Sequence, residues 1–274
     1  MAGDRVHFSD EADGVTFAAN FFDTAHFLTR CMRYRFHTEK LQIKTLTQLD
    51  LRGATALDIG ANKGIYCFWL LRTVGHSGRV VAFEPQPEMA EAIRRMRARF
   101  DWANLEVLNV ALSDAEGTLN LARDRIGDGS ASLESSRQRA GQDRIDVPVT
   151  RLDALPDDLL ANVRFIKCDV EGHERSVFRG GEETLRRVRP VVQFESTVDD
   201  AQTSQIFRFF RDLGYSGVLM LGDSYLPYAN PDNVAHYKFG LAGHRDYLFF
   251  PSEAIGMTIP RSLSARFPSA ALQF

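Results

Sequence analysis

The chain has 274 residues, 33 Lys and Arg against 36 Asp and Glu, a formal net charge of −3 and 44% hydrophobic residues. That much apolar material offsets the entropy of ordering and excludes intrinsic disorder. The slight acidity excludes a protein that holds nucleic acid by phosphate neutralisation. Three scattered cysteines, Cys31, Cys67 and Cys168, give neither a disulfide framework nor a zinc knuckle, which fits a reducing compartment. No run approaches the ~20 apolar residues needed to cross a bilayer, and the acidic start MAGDRVHFSDEADG has no signal-peptide apolar region. A cytoplasmic protein without membrane insertion is expected. Arg94, Arg95, Arg97 and Arg99 read as a solvated helix face.

In chain order, residues 1–19 form a loose lead-in. Apolar positions then recur at helical spacing through Phe22, Ala25, Phe27, Leu28 and Met32, and again through Leu41, Ile43, Leu46 and Leu49, predicting two helices. Their stripe serves either core packing or a lid over a substrate pocket. From residue 54 short apolar runs alternate with amphipathic stretches. Strands are predicted at 54–59, 79–84, 105–112, 164–169 and 190–195, with helices over Ile65–Arg72 and from Pro87 to Phe100. This alternation is the signature of βαβ units and a parallel sheet whose ligand edge lies at the strand C-termini. Between the third and fourth strands, 117–123 and 145–150 alternate as half-buried antiparallel strands, a β-hairpin insertion. The Gly, Ser, Arg and Asp-rich stretch 124–143 between them reads as a mobile loop. A helix at QIFRFFRDLGY, strands at SGVLML and 246–251, and a surface tail complete the chain. The division expected is a helical N-terminal extension over 1–53, a catalytic domain over 54–252 and a tail over 253–274.

The strongest local signal is LDIGANKGIYCFWL, in which a buried strand reaches Asp58, turns through Gly60, Ala61, Asn62, Lys63 and Gly64, and enters a helix. Glycines here let backbone approach a ligand, and the helix N-terminus offers free N–H groups. A tight turn needing positive φ explains the same glycines, and the dinucleotide spacing GxGxxG is missing. The next strand ends in Glu84, then Pro85, where a carboxylate accepts from ribose hydroxyls or caps the following helix. At the end of the third strand, Ala111, Leu112, Ser113 and Asp114 either bound an adenine or form a plain turn. IKCDVEGHERSVFRGG is the densest polar cluster. Asp169, Glu171 and His173 are the material for general base catalysis, since ionisable groups at a central strand end are costly without a task. Glu195 ends the fifth strand on the same edge.

In this order LDIGANKGIY, VVAFEPQPE, NVALSDAEGTLNL, VPVTRLDAL, FIKCDVEGHERSVFRGGEETL and RPVVQFE resemble the FkbM family of S-adenosylmethionine-dependent methyltransferases over residues 54–200. The resemblance implies the class I Rossmann-like α/β fold, with a mostly parallel central sheet and helices on both faces. It also implies S-adenosyl-L-methionine as cofactor. Asp58, Gly60, Asn62 and Gly64 would cradle its methionine end, Glu84 would hold the ribose, Ala111–Asp114 would meet the adenine, and Asp169 would lie close to the sulfonium.

Methyl transfer from a sulfonium needs alignment, exclusion of water and removal of the acceptor proton. His173 and Asp169 are the candidate bases, with Glu171 and Glu195 as orienting groups and His236 or His244 as the fallback. Alternatively, Asp169 and Glu195 ligate a divalent metal that acidifies a bound diol. The expected acceptor is a hydroxyl of a sugar, glycan or small natural product. An RNA or protein methyltransferase and a Rossmann-type oxidoreductase are the competing readings. Substrate determinants are expected in 20–50, 124–143 and 222–245, where Tyr225, Tyr228 and Tyr237 suit either sugar stacking or loop packing, and a homo-oligomer through the extension remains open.

Overall fold

β1 (Thr55–Ile59) is buried at every position because strands flank it on both sides and helices cover both faces of its sheet. The computed structural model describes residues 17–197, 201–227 and 244–269. β1 pairs in parallel with β2 (Arg79–Phe83) and with β7 (Val163–Cys168). Outside these, β2 pairs in parallel with β3 (Leu105–Leu108), and β7 with β8 (Val191–Thr197). β11 (His244–Pro251) then lies antiparallel between β8 and β9 (Tyr215–Leu221), and β10 (Ser224–Pro227) closes the edge. The eight-stranded order is β10-β9-β11-β8-β7-β1-β2-β3. The expected mostly parallel α/β sheet is therefore present, and the C-terminal ends of its five parallel strands share one edge.

Alternation along the strands sorts the core into two layers. Leu57, Ile59, Ile166, Cys168, Phe194, Tyr247 and Phe249 meet Phe178 of α6 (Glu174–Arg179) and Phe207 and Phe210 of α8 (Ala201–Asp212). Ala56, Phe165, Val191, Leu248 and Phe250 face the other way, toward α2 (Lys40–Leu46) and α3 (Ile65–Val74). That second face also receives Asp58, Lys167, Gln193, Glu195 and Asp246, each at an alternate position, and it is the polar one.

Part of the N-terminal stripe is core, although Ala25 and Met32 are exposed. α1 (Phe17–Arg33) places Phe27 and Cys31 against Ile65 and Phe68 of α3, and a π-helical turn over Tyr34–Thr38 leads into α2, where Leu41, Ile43 and Leu46 are buried. Arg94, Arg95, Arg97 and Arg99 are exposed on α4 (Pro87–Arg99), as a solvated face requires.

Three expectations are corrected. The third strand is not continuous over 105–112. Asn109 donates its amide to the carbonyls of Glu84 (2.8 Å) and Pro85 (2.9 Å), and the chain leaves the main sheet there. β4 (Ala111–Leu112) instead joins β6 (Asp143–Thr150) and β5 (Gly117–Arg123) in a three-stranded sheet, β5 and β6 being the expected antiparallel hairpin. Nor is 124–142 a free loop. Asp128 carbonyl accepts from Gln86 Nε2 at 3.0 Å, Ser132 Oγ donates to the Glu171 carbonyl at 2.7 Å, and Arg123 reaches Glu88 and Asp143. Finally, the described part of the expected tail, up to residue 269, is not simply surface, because Ile259, Leu263 and Phe267 are buried in the core beside Phe250 and Tyr225.

Candidate active site

The turn after β1 is held by backbone. The N–H groups of Gly60 and Ala61 both donate to the Phe83 carbonyl, at 3.0 and 3.1 Å. Gly60 has φ of 80°, and a Cβ there would stand 1.9 Å from the Asp169 carbonyl oxygen, so this position needs glycine for both conformation and space. Gly64, with φ of 72°, supplies the N-cap of α3. The turn is thus packed against the end of β7, which brings the first and fourth strand ends together.

Glu84, directly after β2 on the other side of β1, is buried. Its Oε2 accepts the Asn62 N–H at 2.7 Å and its Oε1 the Gln86 N–H at 2.8 Å. Burial pushes its carboxyl up to about 7 despite these bonds. Capping and a second task are compatible, since two bonds leave acceptor capacity on both oxygens. A cleft of about 630 Å³ opens beside it, walled by Gly60, Asn62, Glu84, Pro85, Ala111, Leu112 and Asp169. Asn62 Oδ1 is buried and has no hydrogen-bond partner among the described residues, and Asn62 lines this cleft. The residues present fit a nucleoside with a polar tail: an acidic group for hydroxyls, apolar walls from Ile59, Val110, Leu112 and Leu133, and an orphaned amide oxygen beside a glycine turn.

A second, more polar cleft of about 1020 Å³ adjoins the first. Tyr34, Glu39, Asp58, Ala61, Lys167 and Glu195 line it, and Gly60, Asn62, Asp128, Gly129, Asp169 and Glu171 line both. Lys167 is 2% exposed, and its Nζ lies 3.0 Å from Asp169 Oδ2 and 4.8 Å from the Tyr66 ring centre. Tyr66 donates its hydroxyl to Glu39 Oε2 and accepts from Gln193 Nε2 at 2.8 Å, and Gln42 donates to Asp246 Oδ2 at 2.6 Å. Burial raises Glu39 to about 7, Asp246 to about 6 and Glu195 to about 9, while the surrounding carboxylates hold Lys167 protonated against its burial. Asp58 accepts the Cys67 thiol at 3.1 Å, and burial pushes it up to about 6.

The turn after β7 carries Glu171 at φ of 54°, a conformation that a non-glycine residue keeps only when its surroundings impose it. Glu174 imposes it, with Oε1 accepting from the Val170 and Gly172 N–H groups at 3.1 and 3.2 Å. Glu171 pairs with Arg137 at 3.2 Å, and burial followed by the Asp169 charge pushes it up to about 7.

Of the expected site residues, Asp58, Gly60, Ala61, Asn62, Glu84, Pro85, Ala111, Leu112, Asp169, Glu171 and Glu195 line one cleft or both. Gly64, Ser113, Asp114 and His173 do not. Asp114 lies half-exposed, 3.8 Å from Arg179. His173, expected as a base, has both ring nitrogens engaged, by Ser113 and Glu134, and is 7% exposed. Tyr225 is buried with its hydroxyl 2.7 Å from Thr45 Oγ1, a packing role rather than a stacking platform. Tyr228, His236 and Tyr237 lie outside the described residues. Among the described residues no group of three or more His, Cys, Asp and Glu is arranged to hold a metal ion, and Asp169 Oδ2 faces the Lys167 ammonium. Lys167, Glu39, Tyr66 and Asp246 were missed. The signal for Lys167 was available, a charged residue within the apolar run FIKC.

Residues 58–216, more than half of the chain, match the family described as the methyltransferase FkbM domain. Methyltransferase sdnD of Sordaria araneosa is 29% identical over 189 residues, 58% of this chain and 72% of the relative. The 2-O-methyltransferase NoeI of Sinorhizobium fredii is 27% identical over 165 residues, 55% of this chain and 66% of that protein. Among solved structures, a methyltransferase FkbM from Methylobacillus flagellatus aligns at a TM-score of 0.48 and 16% identity, covering 72% of this chain and 43% of that one. The chain belongs to the FkbM family of S-adenosylmethionine-dependent methyltransferases.

Proposed function

We propose that the protein transfers a methyl group from S-adenosylmethionine to a hydroxyl oxygen of a sugar, a glycan or a small natural product, with Asp169 taking the hydroxyl proton. The observation that carries this reading is the shared wall. Gly60, Asn62, Asp169 and Glu171 border both the Glu84 cleft and the polar cleft, so a nucleoside in the first and an acceptor in the second would meet at Asp169. The cofactor supplies an already activated methyl group. What the chain must supply is alignment, a dry contact and a base.

Glu84 and the glycine turn would hold the nucleoside and methionine ends. Leu112, with Ala111, offers an apolar wall for the base. On the acceptor side the carboxyl groups of Glu39, Glu171 and Glu195 suit hydroxyl groups, since a carboxyl accepts through its oxygens and, when protonated, also donates. Lys167 fixes Asp169 through Oδ2, which leaves Oδ1 for the acceptor hydroxyl. The ammonium offsets the negative charge that gathers there before the proton moves. One relative's name specifies 2-O-methylation, which supports oxygen as the receiving atom.

The test is Asp169→Asn, assayed with labelled methyl donor against a panel of sugars, glycans and hydroxylated natural products. Turnover is expected to fall at least about a hundredfold, the usual contribution of a general base, with affinity for S-adenosylhomocysteine within about threefold of the parent. Undiminished turnover would remove Asp169 from the reaction. A parallel assay in excess chelator addresses the metal alternative, and an unchanged rate is the result expected.

A further inference from the structure

Behind the wall of the Glu84 cleft three side chains from distant parts of the chain meet in a line. Ser113 Oγ is 2.9 Å from His173 Nε2, and His173 Nδ1 is 2.7 Å from Glu134 Oε1. Hydroxyl, imidazole and carboxylate in this order also make an activated nucleophile. Here Ser113 is 2% exposed and His173 7%, and Gly180 packs so closely on Ser113 that a Cβ would stand 1.9 Å from its carbonyl oxygen. No ester or amide reaches this hydroxyl. A neutral imidazole has one donor and one acceptor nitrogen, and both are used within the protein. His173 therefore has no lone pair to offer an acceptor.

What the line connects is informative. Ser113 directly follows Leu112 in the wall of the first cleft. His173 is the N-cap of α6, directly after the turn that carries Glu171. Glu134 belongs to the segment 124–142, whose residues Asp128 and Gly129 line both clefts. Two further side-chain ties of the segment run to the same turn, Ser132 to the Glu171 carbonyl and Arg137 to the Glu171 carboxylate. Gly172, with φ of 102°, is where Arg137 crosses, and a Cβ there would stand 2.8 Å from its Nε. Three anchors of the segment thus meet residues 171–173, besides those of Gly127 and Asp128 to Gln86 and of Gln138 to Asn120, and of these three His173 carries the connection on to Ser113, next to Leu112.

We propose that His173 is a positioning residue, a latch that holds the segment 124–142 closed over both clefts and couples that closure to the wall at Leu112. What the clefts hold rests on the methyl-transfer reading; the latch itself does not. Closure by this segment would bring Asp128 and Gly129 against the glycine turn, where Gly129 already lies so close that a Cβ would stand 3.0 Å from Asn62 Nδ2. A polar latch suits this task because a buried, fully satisfied hydrogen-bond line is stable, whereas a broken one leaves unpaired groups and opens.

The test uses the full chain and limited trypsin digestion, since Arg125, Arg137 and Arg139 lie in the segment. His173→Ala and Glu134→Ala are expected to raise the initial cleavage rate within 124–142 about tenfold, the loss of one charge-assisted hydrogen bond. Cleavage elsewhere should be unchanged. Both variants should weaken S-adenosylhomocysteine binding about tenfold, and Glu134→Ala should keep kcat at saturating donor within about threefold. His173→Gln, which can still donate to Glu134 and accept from Ser113, should restore most of the protection. Unaltered cleavage and affinity in His173→Ala would overturn the latch. So would a collapse of kcat in His173→Gln with the segment still protected, because that is the behaviour of a base. If no form of the protein binds S-adenosylhomocysteine while cleavage still follows the latch, the latch stands and the methyl-transfer reading fails.

Discussion

Lys167→Met removes one charge from the interior and leaves the shape nearly unchanged. Lys167 is fully enclosed, with Asp169 Oδ2 at 3.0 Å and the charges of Glu39, Asp246 and Glu195 acting on it in turn. Deleting one partner of a buried ion pair costs about 3–5 kcal/mol, because the remaining charge keeps its desolvation penalty without its attraction. Asp169 keeps 31% of its side-chain surface accessible, so solvent screens part of the loss and the lower end, about 3 kcal/mol, is expected. At about 2–4 °C per kcal/mol for a domain of this size, the melting temperature should fall by at least about 6 °C. The loss must also depend on pH. Without the ammonium the clustered carboxylates repel one another, and protonation relieves them, so the gap between parent and variant should be wide at pH 8 and narrower at pH 5. Adding Asp169→Asn to the variant should recover part of the stability, a coupling that only contacting residues show. Calorimetry at both pH values with urea denaturation as a second measure suffices. A loss below about 1 kcal/mol at pH 8, or a gap equal at both pH values, would refute the account of Lys167 as the counter-charge of this cluster.

Gly60→Ala should lower the melting temperature and abolish binding of S-adenosylhomocysteine, because the new Cβ would stand 1.9 Å from the Asp169 carbonyl oxygen at a φ of 80°; normal affinity by titration calorimetry would contradict the packed turn. Glu84→Gln should weaken the same ligand at least about tenfold, since hydrogen bonds to a charged acceptor contribute about 1.5–3 kcal/mol each, and an unchanged Kd would place the ribose elsewhere. The wild-type protein should be more stable at pH 5 than at pH 8. Burial raises Asp58 to about 6 and Glu84, Glu171 and Glu174 to about 7, so between the ordinary carboxylate range near 4 and about pH 7 the folded chain binds more protons than the unfolded one. Stability then falls as pH rises through that window. Below it the sign reverses, because Glu88, Glu134 and Glu253 are held below the ordinary range by Arg123, His173 and Arg189. A stability maximum at pH 8 in urea titrations would contradict the burial of these carboxylates.

Local pattern in the sequence determined most of the strands, their parallel direction and the ligand edge. Runs such as TALDI and FIKC are apolar enough to be buried, GANKG must turn, and right-handed crossovers then leave little choice of side. Asp58, Glu84, Asp169 and Glu195 could be placed on that edge because each stands at or near the C-terminal end of a strand, a property of local spacing. Tertiary structure alone decided what each of them touches. Glu39 comes from the start of α2 and Asp246 from an antiparallel strand near the other end of the chain, and no spacing brings either to Lys167. Strand alternation put Lys167 and Gln193 on the same face as Asp58, yet which helices cover that face is settled by packing. The same holds for His173. A histidine two residues after a glutamate at a strand end reads as a base, and only the arrival of Glu134 from the 124–142 segment and Ser113 from a strand that left the main sheet shows both nitrogens taken. The chain itself fixes periodicity and turn chemistry; long-range contacts, which have no period, fix protonation and hydrogen-bond partners, and the chemistry of this site depends on both.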